Sequence, residues 1–303
     1  MEPSGVLIIN KQEGMTSHDV VNKIRRLYGT RRVGHTGTLD PLATGVLTIL
    51  VGKAAKASEY LVADSKQYVA TLRLGLVTDT EDITGSILAQ CDTLPSFESA
   101  VQTARSFEGN ITQIPPMYSA LKVNGQKLCD LARKGISVER QARPVTIHSI
   151  EVSATNSPSD YILKIACSSG TYIRTLCADI GKALGCGGVM ASLCRSRAGD
   201  FSIDQAHTLS ELEELSENDR ISLLIPTESL FSSLPAVNLP EFFEKLAKSG
   251  CEIYQKKLHT NFSLGDRVRL CSANGCFFAL GEVREYENGS AIKSIKTFNS
   301  DNN

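Results

Sequence analysis

Arg32-Val-Gly-His-Thr-Gly-Thr-Leu-Asp-Pro-Leu-Ala-Thr-Gly-Val-Leu-Thr-Ile-Leu-Val51 runs a glycine-rich loop straight into an apolar strand. Gly34, Gly37 and Gly45 let the backbone approach a ligand closely. Pro41 holds Asp40 in extended geometry, and Val46 to Val51 reads as a buried-type strand. An Asp on a loop anchored by a rigid strand suits a nucleophile or general base. The alternative is a turn in which the carboxylate binds its own backbone. Neither G-x-x-x-x-G-K-[ST] nor G-x-G-x-x-G occurs, so this is no phosphate-binding loop of those kinds.

Ahead of the loop, Gly5 to Ile9 is strand-like, and Thr16 or Ser17 caps a helix whose Val20, Val21, Ile24, Leu27 and Tyr28 form one stripe ending at Gly29. Residues 31–45 read as loop. After Val51 the pattern predicts a short helix from Ala54 to Val62, an alternating strand from Tyr68 to Leu74, and a polar turn from Thr78 to Gly85. Pro95 and Ser96 open a helix with Phe97, Val101, Ala104 and Phe107 inward. Val145 to Val152 and Tyr161 to Cys167 read as strands, and Thr171 to Leu184 as a helix. Strands and helices mix without a strict βαβ rhythm, which predicts an α+β fold with a mixed, largely antiparallel sheet and flanking helices.

The 303 residues carry a net charge of -1, which hides an uneven distribution. Residues 1–200 hold 22 Lys and Arg against 18 Asp and Glu, residues 201–240 hold 1 against 7, and residues 241–303 hold 9 against 8. An acidic connector thus offsets a mildly basic body. Lys23, Arg25, Arg26, Arg31 and Arg32 form one basic cluster, and Lys122, Lys127, Arg133, Lys134, Arg140 and Arg143 a second. Such clusters suit a polyanion, since each neutralised phosphate releases a counterion; a solvated helix face is the other reading. The longest apolar run is far too short to span a bilayer, and no signal-peptide pattern opens the chain. The nine cysteines include no C-x-x-C pair and read as reduced thiols in a cytoplasmic protein.

Past the connector, Arg267 to Leu270, Cys276 to Val283 and Ala291 to Thr297 read as short strands separated by Asn274-Gly275 and Asn288-Gly289, strong hairpin signals. The expected organisation is a catalytic domain over residues 1–235, with an insertion at about 115–145, and a small β-rich domain over 236–303.

Gly34-His-Thr-Gly-Thr-Leu-Asp-Pro-Leu-Ala-Thr-Gly-Val-Leu47 resembles the signature of bacterial tRNA pseudouridine synthases of the TruB type, which isomerise uridine 55 in the T-arm. Further blocks follow in that family's order: Asn10 to Ser17, Gly52 to Lys56, Lys66-Gln-Tyr68, Thr78 to Asp82, Pro115 to Lys122 and Ser169-Gly-Thr-Tyr-Ile-Arg174. The match covers residues 5–201. Ala55 stands where the family usually has Thr, which removes one hydroxyl. The tail is similar to a short PUA domain.

The resemblance implies an isomerase that needs no cofactor and no metal, because the C1′–N1 bond is exchanged for C1′–C5 without redox change. It implies Asp40 as the catalytic carboxylate, Arg174 as its partner, and Tyr68 as a ring stacked on the uracil. Tyr172 and Leu193 match pocket walls, Lys56 a contact to phosphate or Asp40, and His35 an imidazole that takes the place of the extruded base. Lys122, Lys127, Arg133 and Lys134 correspond to the insertion that closes over RNA. The implied partner is the T-arm of tRNA, bound by a monomer with no obligate protein partner and no membrane. Two other readings compete: a tRNA-folding chaperone using the same surface, and a glycoside hydrolase, for which no convincing second acid is present.

Overall fold

The computed structural model describes residues 2–60, 65–119, 121–123 and 125–298. Its core is a mixed nine-stranded sheet. The strands run in the order Gly5–Lys11, Thr44–Val51, Gly188–Ala198, Lys66–Leu74, Asp160–Cys167, Arg143–Ala154, Gly109–Gln113, with Val33–Thr36 and Phe201–Ser202 paired at the side. Neighbours are antiparallel except Thr44–Val51 and Gly188–Ala198, which run parallel through Cys194 opposite Thr44 and Arg195 opposite Gly45. That parallel seam sets the start of the Thr44–Val51 strand against the strand that carries Leu193 and Arg195.

Burial explains the sequence patterns. Thr44–Val51 is buried along nearly its whole length, because helices cover one face and the connector covers the other; hence its unbroken apolar run. Lys66–Leu74 keeps one face open, and its residues alternate accordingly. Connector residues also close the free edge of Gly5–Lys11: Val6 exchanges hydrogen bonds with Ile225, and His207 bridges Ile8 and Asn10. The acidic segment therefore protects a sheet edge as well as joining two parts of the chain.

Helix Ser17–Leu27 begins with a reciprocal capping box between Thr16 and Asp19. Helix Ile173–Ala183 packs Leu176, Cys177 and Ile180 into the same core. Other expectations need correction. Residues 31–45 are not all loop, since Val33–Thr36 pairs with Thr44–Val51 and leaves 37–43 as the loop proper. The expected helix from Ala54 is a 3₁₀ helix, Gly52–Glu59, drawn tight where Ala54 and Ala57 are fully buried; residues 61–64 lie outside the described residues. Helix Phe97–Arg105 buries Ala100 and Ala104, while Phe97 is exposed and stacks on the Tyr161 ring. The strand Gly188–Ala198 was absent from the sequence pattern because Ser192, Arg195 and Arg197 interrupt its alternation.

The tail forms a five-stranded sheet with Ala236–Asn238 and Glu252–Tyr254 beside the three expected strands, plus the helix Glu241–Lys248. Phe231, Phe277 and Phe298 cluster with Ala57 of the 3₁₀ helix, so the tail shares a small core with the main sheet. Tyr60 reinforces this junction by donating to the Ile295 carbonyl and lying under the Lys296 ammonium. No helix among the described residues is long and apolar enough to cross a membrane.

Candidate active site

The loop that carries Asp40 is fastened from three sides. Ser17 Oγ donates to the Leu39 carbonyl and accepts from the Leu39 N–H. Gly14 N–H donates to the Pro41 carbonyl, and Ala43 N–H to that of Asp40. Beneath the loop, fully buried Lys11 donates from Nζ to the carbonyls of Gln12, Met15 and Pro41, at 3.0, 2.7 and 3.2 Å. Burial pushes the Lys11 ammonium down to about 8. Gly45 (φ +94°) closes the loop, and a Cβ there would meet the Arg195 carbonyl, so only glycine fits the parallel seam.

Arg174 lies in the first turn of the helix Ile173–Ala183, and its Nε is 2.9 Å from Asp40 Oδ2. Nη1 donates to the Thr80 carbonyl at 3.1 Å and lies 3.7 Å from Asp82 Oδ2, while Nη2 donates to the Tyr118 carbonyl at 2.7 Å. The polar turn read from the sequence is thus an anchor for Arg174. Asp82 is held in it by Thr80 Oγ1 and by the Thr84 N–H and hydroxyl, and Glu81 (φ 63°) accepts from Thr175 on the Arg174 helix.

Tyr68 sits opposite Arg195 across paired strands and is buried. Arg195, only 1% exposed, donates to the carbonyls of Val46 and Gly37 at 2.7 and 2.9 Å, and its charge favours the ionised Tyr68 phenol against burial. Tyr172 is placed by Gln113, which exchanges hydrogen bonds with its backbone N–H and carbonyl. Asp40, Tyr68, Tyr172, Arg174, Leu193 and Arg195 line one cleft of about 360 Å³.

The other expected residues lie elsewhere. His35, on Val33–Thr36, lines a second cavity of about 370 Å³ that shares Gly37, Lys66 and Ser169 with the first. Burial lowers its imidazole pKa, favouring the neutral ring. Lys56 is exposed and donates to the Thr297 carbonyl at 3.4 Å; it is not part of the Asp40 cleft, which removes the reading of it as an Asp40 contact. Arg133 and Lys134 are exposed at the end of the short helix Leu128–Ala132, Arg133 3.5 Å from Asp130. The side chains of Lys122 and Lys127 lie outside what the structure describes. In the first basic cluster, Lys23 pairs with Glu213 at 2.6 Å and Arg32 with Glu2 at 3.2 Å, leaving Arg26 and Arg31 exposed.

Residues 25–173 match the N-terminal domain of the TruB family of pseudouridylate synthases, and residues 174–232 match the C-terminal domain of tRNA pseudouridylate synthase B. A protein of Clostridium tetani named tRNA pseudouridine synthase B is 41% identical over 281 residues, 92% of this chain and 95% of that protein. The chain belongs to the TruB family. Relatives of the same name from Clostridium kluyveri (41% identical, 97% of this chain and 99% of that protein) and Francisella philomiragia (44%, 98% and 96%) span almost the whole length. A chain of the crystal structure of a Cbf5-Nop10-Gar1 complex superposes with TM-score 0.72 at 25% identity, covering 97% of this chain and 85% of that one. A chain of an H/ACA RNP bound to a substrate RNA containing 2′-deoxyuridine gives TM-score 0.71 at 23% identity, covering 98% and 85%, and bears on the fold alone.

As a pseudouridine synthase of the TruB family, the chain has, among the described residues lining its cleft, one carboxylate beside a fixed cation. Burial raises the Asp40 pKa and the Asp82 charge adds to that, while Arg174 and Lys11 pull it back. Burial likewise raises the Tyr68 phenol, which favours its neutral form. Lys11, Asp82 and Arg195 had no role in the sequence reading. Arg195 lies two residues past Leu193 and so on the same strand face, a relation that appears only once the strand Gly188–Ala198 is known.

Proposed function

We propose that this chain isomerises uridine 55 in the T-arm of tRNA to pseudouridine, with Asp40 as the catalytic carboxylate. The observation that carries this is the Arg174–Asp40 pair, 2.9 Å apart in a cleft walled by Tyr68, Tyr172 and Leu193. The relatives named tRNA pseudouridine synthase B support the choice of RNA.

The uridine is extruded from the folded T-loop at a cost of a few kcal/mol and enters the cleft. Tyr68 stacks on the uracil, and His35 takes the place left in the loop. The C1′–N1 bond breaks, the uracil turns, C5 bonds to C1′, and the C5 proton is lost as N1 gains one. Atoms and electrons balance within the substrate. Attack by Asp40 at C1′, attack at C6, and proton abstraction from C2′ all require the ionised carboxylate next to the sugar, and Arg174 supports that form. Exposed Arg133 and Lys134, with Lys122 and Lys127 of the same insertion, meet phosphates. The five-stranded tail adds a PUA-like RNA-binding surface. The enzyme acts as a cytoplasmic monomer on tRNA, without an obligate protein partner.

The test is incubation with a uridine-containing T-arm transcript followed by carbodiimide-dependent mapping. Conversion at the T-loop uridine is expected with the native chain. RNA binding without conversion would assign the surface to RNA folding instead.

A further inference from the structure

Apart from His35, Gly37, Lys66 and Ser169, the cavity beside the Asp40 cleft is built from groups that the reaction does not use. Its wall carries the hydroxyls of Thr36, Thr48, Ser58, Ser169, Ser229 and Ser232. Lys66 stands at the seam with the Asp40 cleft and donates to Ser169 Oγ at 3.2 Å. Asp200 also lines the cavity, accepting from Ser232 Oγ at 3.1 Å. Among the described residues, the one phenyl ring in the wall, Phe201, packs against the cluster of Val6, Ile8 and Val46. Two lining residues hold buried polar atoms without a hydrogen-bond partner, His35 Nδ1 and Ser229 Oγ. Rotation about χ1 brings a serine hydroxyl to a new partner, and a ring flip does so for an imidazole.

A site for a nucleobase presents a free aromatic or guanidinium plane to stack on; here the Phe201 ring packs against the core and the His35 ring is the one assigned to the place vacated in the T-loop. This cavity presents hydroxyls, an ammonium near one side and a carboxylate on its rim, which is the chemistry of a sugar and its phosphate. We propose that the cavity is a ribose–phosphate subsite for a nucleotide flanking the target uridine, and that it reads that nucleotide's 2′-hydroxyl. The inference rests on the uridine occupying the Asp40 cleft. Because the two cavities share Gly37, Lys66 and Ser169, a strand entering one passes the mouth of the other. The phosphate lies toward Lys66. The 2′-hydroxyl donates to the Asp200 carboxylate and accepts from Ser229, which carboxylate repulsion of phosphate also dictates. The subsite would thereby distinguish RNA from DNA at one flanking position.

The experiment measures the affinity of T-arm hairpins that each carry a single 2′-deoxynucleotide beside the target, using the native chain and the Ser229→Ala, Asp200→Ala double variant. With the native chain, one flanking deoxy position should weaken binding by about 3- to 10-fold. In the double variant, the same deoxy substitution should change affinity by less than about twofold, since both changes remove the same hydrogen bonds. Equal affinities across the deoxy series with the native chain would overturn the proposal, as would an equal loss in both proteins. Conversion of the all-ribose hairpin, followed in parallel, reports separately on the T-arm reading.

Discussion

In the Arg174–Asp40 pair the cation is the buried partner: the Arg174 side chain is 5% exposed and that of Asp40 39%, with Nε 2.9 Å from Oδ2. Two carbonyls, those of Thr80 and Tyr118, take the remaining direction of the guanidinium. Arg174 is therefore part of the wall, and the carboxylate is the part that faces substrate. A lysine cannot reach three partners in that plane. Arg174→Lys should lower the single-turnover rate by about 100-fold or more and leave RNA affinity within about threefold. A rate close to that of the native chain would remove the positioning role.

The pH dependence follows from the same pair. Burial raises the Asp40 pKa above its ordinary 3.8, and the ionised form is the active one, so the rate should rise with pH through that raised value. Removing the cation in Arg174→Gln should move the acid limb to higher pH. A pH–rate profile of both proteins checks this; a limb that stays in place contradicts it.

Lys11 makes a stability prediction. Its pKa falls from 10.5 to about 8 on burial, so the folded chain loses that proton while the unfolded chain still holds it. Lys11 thus adds a term that raises stability with pH between about 8 and 10.5. Urea unfolding across that window should show the increment in the native chain and its loss in Lys11→Met. Parallel pH dependences in the two proteins would contradict it.

Tyr68 separates stacking from hydroxyl chemistry. Tyr68→Phe keeps the ring and removes the hydroxyl, whereas Tyr68→Leu loses the ring as well. Stacking of about 1–3 kcal/mol makes the Leu variant the weaker by about 5- to 100-fold in rate over KM. Equal Phe and Leu variants would deny stacking, and a folded but inactive Phe variant would give the hydroxyl a part in the chemistry.

The two basic clusters should differ in salt dependence. Lys23 and Arg32 are already paired with Glu213 and Glu2, whereas Arg133 and Lys134 are exposed. Neutralising Lys122, Lys127, Arg133 and Lys134 should flatten the slope of log affinity against log salt by ~0.7–0.9 for each phosphate left without its cation. Neutralising Lys23 and Arg32 should change it less. The reverse order would return the second cluster to a solvated face.

These residues also mark what local sequence conveys. The buried strand after Asp40, the capped helix before it and the tail hairpins were readable because periodicity, caps and Asn-Gly turns act over a few residues. The Asp40 loop was readable as chemistry, and its partner Arg174 only through family resemblance. Arg195, Lys11 and Asp82 were not readable, because burial of a charge depends on partners distant in the chain: Val46 and Gly37 for Arg195, Pro41 for Lys11, Arg174 for Asp82. The pairing of Lys23 with Glu213 was hidden for the same reason, since the connector folds back onto the helix it neutralises.

The most direct test is single-turnover pseudouridine formation on a T-arm transcript by the native chain and by Asp40→Asn, with affinity measured alongside. Conversion by the native chain and none by Asp40→Asn, at affinities within about threefold, is the expected result. Turnover retained by Asp40→Asn would contradict the assignment of Asp40 as the catalytic carboxylate.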